Sequence, residues 1–224
     1  MDPQSVDIST NGETVSGLFL RPANAKALYL FAHGAGAGMT HKAMTSNAVG
    51  LAARGIATLR FNFPYMKKGS KRPDAPKVAH AAIRAAAAKA AELASDLPLF
   101  AGGRSFGGRM TSQAQSIEPL PGVRGLAFLG FPLHPAGKPG IERAKHLSNL
   151  VVPTLFVTGS KDALADMDLL RPVVGRLGER ATLYVVEHAD HSFKTAAKSG
   201  KTSAQAEAEA LDALSDWIGG KLGG

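Results

Sequence analysis

This 224-residue chain predicts an α/β fold: a mostly parallel sheet with helices on both faces and an antiparallel hairpin at its N-terminal edge. Three observations predict it. Short apolar runs alternate with helical patterns from end to end, as strand–helix–strand units require. The runs are continuously apolar, as strands covered on both faces are. Asn11-Gly12, a strong turn signal, separates two strand-like stretches near the start. No internal repeat, linker or compositional break interrupts the pattern, so residues 1–224 are expected to form one domain.

The elements follow in order. Val6-Asp7-Ile8 and Val15 to Leu20 flank the turn as a hairpin. Ala27 to Ala32 is an unbroken apolar strand ending at His33-Gly34. Residues 42–54 read as a helix closed by Gly55, a natural C-cap. Ile56 to Phe63 is the next strand. Val78, Ala82, Ile83, Ala86, Ala90 and Leu93 lie at helical spacing within an alanine-rich run, which favours helix. Leu99-Phe100-Ala101 is a strand leading into a glycine cluster. Residues 106–117 form a helix with Phe106, Met110, Ala114 and Ile117 on one face. Gly125 to Phe131, Thr154 to Thr158 and Thr182 to Val186 are strands, with a helix over 163–177. Leu211, Leu214, Ile218 and Leu222 stripe a last helix ending at Gly223-Gly224.

Composition excludes several functions. The chain has no cysteine, so disulfides, thiolate metal sites and a cysteine nucleophile are ruled out. No stretch approaches a membrane span. The opening Met1-Asp2-Pro3-Gln4 lacks the basic-then-apolar run of a signal peptide. A cytoplasmic protein without membrane contact is expected. The net charge is +8, and the densest basic segment is Lys67-Lys68-Gly69-Ser70-Lys71-Arg72. It lacks interleaved aromatics, so it reads as a solvated loop and no nucleic-acid partner is expected. An anionic small substrate drawn to that loop fits the same charge.

In sheets of this kind ligands bind at the carboxyl ends of the strands. After the Leu99 strand comes Gly103-Arg104-Ser105-Phe106-Gly107, a G-x-S-x-G pattern. It makes a sharp strand-to-helix turn that projects the serine hydroxyl, and its glycines clear the crowding. With 25 glycines in the chain, chance yields about 0.2 such matches. The preceding strand and following helix make it specific.

A serine needs a base, and the base an orienting acid. Asp162 follows the Thr154 strand and His191 follows the Thr182 strand, on the same edge as Ser105. His188 is the alternative base. Asp166 and Asp168 fall in the next helical pattern and read as a solvated face. Asp190 is too close in sequence to His191 to face it. The loop His33-Gly34-Ala35-Gly36-Ala37-Gly38 lets a backbone approach a substrate closely. Ala35 and Phe106 N–H groups are the expected oxyanion donors, and His33 is expected to prop the loop. The loop lacks the P-loop pattern.

Together these residues resemble the α/β-hydrolase superfamily across nearly the whole chain, and within it the short, lidless dienelactone-hydrolase-like forms. The phrase Gly130 to Pro139 (Gly-Phe-Pro-Leu-His-Pro-Ala-Gly-Lys-Pro) is similar to one in a branch of predicted hydrolases shared with a testis-expressed protein and a chromatin-complex subunit. The resemblance implies Ser105, Asp162 and His191 as a catalytic triad. Dienelactone hydrolases usually carry a cysteine nucleophile, and this chain has serine, which implies general ester chemistry.

Four further residues are candidate substrate contacts, each with a structural alternative. Arg104 would hold a substrate carboxylate or support the elbow by an ion pair. His134 would touch substrate or bond within its Pro-rich loop. Tyr65 and Met66, with Phe63 and Pro64, would line a pocket wall or pack in the core. The expected function is a serine hydrolase of carboxylic esters or thioesters, acting on a small molecule without metal or cofactor. The alternative is a catalytically idle interaction module of the same fold. About 17 residues (Phe131 to Leu147) follow the Gly125 strand, too few for a cap, so an open site is expected.

Overall fold

A computed structural model describes residues 2–70 and 72–223. Met1, Lys71 and Gly224, named above, lie outside the described residues. Eight strands form one sheet: β1 (Gln4–Thr10), β2 (Glu13–Leu20), β3 (Ala27–Ala32), β4 (Ile56–Phe61), β5 (Leu99–Arg104), β6 (Val123–Leu129), β7 (Thr154–Gly159) and β8 (Ala181–Val186). Their order is β1-β2-β4-β3-β5-β6-β7-β8. The last six in that row run parallel, and β1 and β2 are antiparallel. The hairpin pairs Thr10 with Glu13. Asn11 and Gly12 between them both have positive φ, 46° and 80°, as the tight right-twisting hairpin turn requires.

Helices α1 (Lys42–Ala53), α2 (Pro64–Lys67), α3 (Pro76–Leu93), α4 (Phe106–Ile117), α5 (Met167–Gly175) and α6 (Ser203–Gly220) connect or follow the strands, with a 3₁₀ helix over Glu142–Asn149. Alternate strand residues feed two cores. Leu28, Leu30, Leu59, Phe61 and Phe128 pack with α3, α4 and α5, through Ala82, Ile83, Met110 and Leu170. Tyr29, Phe31, Phe100, Leu155 and Val157 pack with α1 and α6, through Met44, Leu51, Leu211 and Leu214. Each fully buried large apolar side chain contributes roughly 1.5–3 kcal/mol, so the sheet is fixed from both sides. Among the described residues no helix is long and apolar enough to cross a membrane.

The expected elements are present, with shifts in bounds, among them β5 running on through the glycine cluster to Arg104. The fourth strand stops at Phe61 because Pro64 begins α2 at its first turn, with Phe63 at its N-cap. The strand expected over Gly125 to Phe131 runs two residues earlier, Val123–Leu129, and Gly130 turns the chain at φ 70°. The helix expected over 163–177 begins only at Met167, capped by Asp166 through the Asp168 N–H. The final helix, expected to end at Gly223-Gly224, spans Ser203–Gly220, with Lys221 as its C-cap and a capping box of Thr202 and Gln205 before it.

Candidate active site

The loops after β3, β5, β7 and β8 meet at one edge of the sheet. Ser105 lies between β5 and α4 with φ 48° and ψ −117°, a backbone conformation that costs a non-glycine residue about 1–3 kcal/mol. Packing enforces it. A Cβ on Gly107 would lie 2.4 Å from the Ala32 carbonyl oxygen, and one on Gly103 would lie 2.3 Å from the same atom. Only glycine lets the turn settle against the end of β3. Ser105 occupies the N-cap position of α4, where a serine hydroxyl ordinarily bonds the first helical N–H groups. Here it makes no cap bond. It meets His191 Nε2 at 2.9 Å instead.

His191 Nδ1 lies 2.8 Å from Asp162 Oδ2. The Asp162 side chain has no exposed surface, and its other oxygen accepts the Leu164 N–H at 2.8 Å. A carboxylate can only accept, so Nδ1 carries the imidazole proton and Nε2 is free to accept from the Ser105 hydroxyl. The structure therefore brings Ser105, Asp162 and His191 together in hydrogen-bond contact. The other candidates stand apart. His188 sits in the exposed turn before the loop, its N–H donating to Ser160 Oγ. Asp190 shapes the histidine loop by accepting the N–H groups of Ser192 and Lys194, each at 2.8 Å. Asp166 caps α5 rather than lying on a solvated helix face.

Four side chains hold the loop after β3. His33 is fully buried. Its Nδ1–H donates to the Gly34 carbonyl and its Nε2 accepts the Phe63 N–H. Tyr65 Oη accepts the Gly36 N–H at 3.0 Å, and Asn62 Oδ1 accepts the Met39 N–H at 2.8 Å. Arg60 donates to the Met39 carbonyl and to Thr45 Oγ1. Sequence reasoning missed Asn62 and Arg60. Arg60 could have been noticed as a charge inside an apolar strand. Among the described residues no protein acceptor is bonded to the N–H of Ala35 or of Phe106, so both remain available to a ligand.

Burial pushes the His33 pKa down to about 4. A protonated ring would turn a second N–H against the Phe63 N–H, which has no lone pair to offer. The unfolded chain binds this proton near pH 6.5 and the folded one only near 4. Stability is thus complete above pH 6.5 and falls as the pH drops toward 4, by up to about 3 kcal/mol. The thermal midpoint followed from pH 7 to 4 should drop, and the drop should be shallower in His33→Gln. His146, also pushed down to about 4 by burial and by Arg109 and His80, sustains the remaining slope.

Arg104 is tied into the scaffold. Its side chain is only 11% exposed and lies 3.7 Å from Glu207. It donates to Asn47 Oδ1 at 2.8 Å and to the Ser192 carbonyl at 3.3 Å, and packs over the Phe193 ring. It thereby links the residue before Ser105 to the residue after His191, and it also lines the cavity over Ser105. His134 is buried with both ring nitrogens engaged, by the Pro135 carbonyl and the Asp166 N–H. That leaves it no free donor or acceptor for a substrate. Tyr65 and Met66 lie beneath the loop after β3, the Met66 methyl against Gly38. Neither lines the cavity over Ser105. That open cavity has a volume of about 430 Å3, with Ala35, Ala37, Met44, Leu129 and Leu164 around Ser105 and His191.

Known proteins share this arrangement of the chain. Residues 25–219 match the family model described as an alpha/beta hydrolase domain. Three solved structures superpose over nearly their full length. A dienelactone hydrolase from Anabaena variabilis has a TM-score of 0.75 at 20% identity, covering 97% of this chain and 98% of that one. An alpha-beta serine hydrolase homologue from Coxiella burnetii has 0.73 at 19%, covering 97% and 96%. A serine hydrolase without a lid from Xanthomonas campestris has 0.73 at 16%, covering 97% and 95%. At these identities the likenesses establish the fold: a mostly parallel eight-stranded sheet with an N-terminal hairpin and, among the described residues, no cap. The family model spans most of the sequence, and by that match the chain belongs to the alpha/beta hydrolase domain family.

Proposed function

We propose that this protein is a serine hydrolase that cleaves carboxylic esters or thioesters through an acyl-enzyme. One observation carries the reading: the unbroken relay from Ser105 Oγ to His191 Nε2 at 2.9 Å and from His191 Nδ1 to Asp162 at 2.8 Å, mounted on a strained turn. In this reading Ser105 attacks the acyl carbon while His191 takes its proton. Asp162 keeps the imidazole in the required tautomer and offsets the charge it gains. The Ala35 and Phe106 N–H groups receive the developing oxyanion, each contributing about 3–4 kcal/mol to the barrier reduction. His191 returns its proton to the leaving alcohol or thiol, and water then repeats the sequence on the acyl-enzyme. The hydrolase names carried by the structural neighbours agree with this chemistry.

A fluorophosphonate probe tests it. Wild-type protein should be labelled and Ser105→Ala should not. Absence of label on folded wild-type protein would reject the reading. The open cavity of about 430 Å3 has, among the described residues, no cover to bury a long chain, so kcat/KM should favour short acyl esters over long-chain ones by about tenfold or more. A long-chain preference would reject an open acyl site.

A further inference from the structure

A cluster of cations stands on the other side of the nucleophile, where α4 is flanked by α3 and by the 3₁₀ helix Glu142–Asn149. Arg109 lies one helical turn beyond Ser105, its guanidinium over the Phe106 ring at 5.9 Å. Among the described residues its Nε is buried without a hydrogen-bond partner, and it forms no ion pair. Burial and the nearby Arg143 charge both lower its pKa. His80 bonds Gln113 at 3.3 Å, and its pKa is lowered first by burial and then by Arg84 and Arg109. His146 bonds Ser112 at 2.7 Å. Lys77, His80 and Arg84 border a shallow cavity of about 440 Å3.

The acids of these three elements are already engaged. Glu118 pairs with Arg84, Glu92 with Lys89 and Glu142 with Lys145. Asp74, just before α3, accepts the Tyr65 N–H. Lys77, Arg109 and Arg143 keep their charge without a carboxylate among the described residues. Like charges held together in a half-buried setting raise the free energy of the folded chain unless an anion joins them.

We infer that this cluster binds a phosphate-class group, with Arg109 and Arg143 as its principal ligands, beside the Ser105 elbow. A single carboxylate would leave most of the charge uncompensated. A phosphoryl dianion offers three strong acceptor oxygens to two guanidinium forks. The cluster has no row of aromatic side chains on which nucleic-acid bases would stack. Its position adjoining Phe106 suits the phosphorylated end of a substrate whose acyl bond lies at Ser105. That last step rests on the proposed hydrolase reading, whereas the anion site itself does not.

Titration calorimetry of Ser105→Ala protein with pyrophosphate at low salt tests the site. Saturable binding is expected, weakened about tenfold in Arg109→Ala and also in Arg143→Ala, which removes no contact with Phe106. Lys198→Ala, the same charge change elsewhere, should bind as before. No binding, binding indifferent to both arginines, or equal binding of succinate would overturn the assignment. Matched esters with and without a phosphate then identify its source. A kcat/KM ratio above about ten that collapses in Arg143→Ala assigns the phosphate to the substrate. A ratio near one with pyrophosphate still bound assigns it to a free phosphate ligand. A wild-type serine that fails to label would sink the hydrolase reading and leave the calorimetry standing.

Discussion

Exchange of Ser105 for alanine is expected to lower kcat/KM on a short acyl ester by about 10⁴–10⁶-fold, with the fold unchanged. The size follows from the geometry. In the proposed mechanism the hydroxyl is the atom that forms the covalent bond, and its only polar partner among the described residues is His191 at 2.9 Å. Its loss leaves the oxyanion donors and the binding surface, which sustain only a residual rate. His191→Ala should cost a similar factor, and the double variant little more than either alone, because the pair acts as one unit. Full additivity of the two losses would show that they work independently and would refute the relay. Thermal midpoints of the variants serve as the control. The strained turn is held by Gly103 and Gly107 against β3, not by the hydroxyl, so the Ser105→Ala midpoint should move by no more than a few degrees.

Gly107→Ala is the second large effect, and its origin is steric. The added methyl would sit 2.4 Å from the Ala32 carbonyl oxygen and 2.6 Å from that of His33. Both are backbone atoms at the end of a central strand, so no side chain can swing aside. Either α4 must lift from β3 or β3 must give way. Overpacking of this kind costs about 1–3 kcal/mol, occasionally more. It also moves the Phe106 N–H relative to the Ala35 N–H, so kcat/KM should fall by about 10²-fold or more even in the folded fraction. Gly219→Ala, near the end of α6 with open space around it, is the matched control and should leave rate and midpoint nearly unchanged. Wild-type activity in Gly107→Ala would mean that the elbow geometry is not what sets the oxyanion site.

Much of this was legible in the residues. Most of the parallel strands are largely apolar runs, and such runs declare themselves. The elbow could be read because a tight turn demands glycine at fixed offsets from the serine. Asp162 and His191 stood out because each follows a strand closely, and loops after parallel strands share one edge. The harder parts depend on contacts between segments distant in sequence. His134 and Tyr65 looked like substrate contacts because polar and aromatic residues after strands point toward ligand sites. Their hydrogen bonds go instead to the Asp166 and Gly36 N–H groups, and only folding brings those within reach. The start of α6 was left open because its first turns, Ser-Ala-Gln-Ala-Glu-Ala, carry no large apolar stripe, although Thr202 and Gln205 offered the capping signal. The basic cluster around Arg109 was invisible for a similar reason. Its members come from three elements more than 60 residues apart from end to end, and no window along the chain contains them.

Ser105, the proposed nucleophile, sits after β5, paired on both sides in the middle of the sheet, whereas His191 follows β8, which has β7 as its single neighbour. The two halves of the proposed machinery therefore rest on ground of unequal firmness. An outermost strand opens at lower free energy than an inner one. Fraying there would withdraw the base from a serine still locked in its turn, so the molecule can fall silent while most of its sheet remains native.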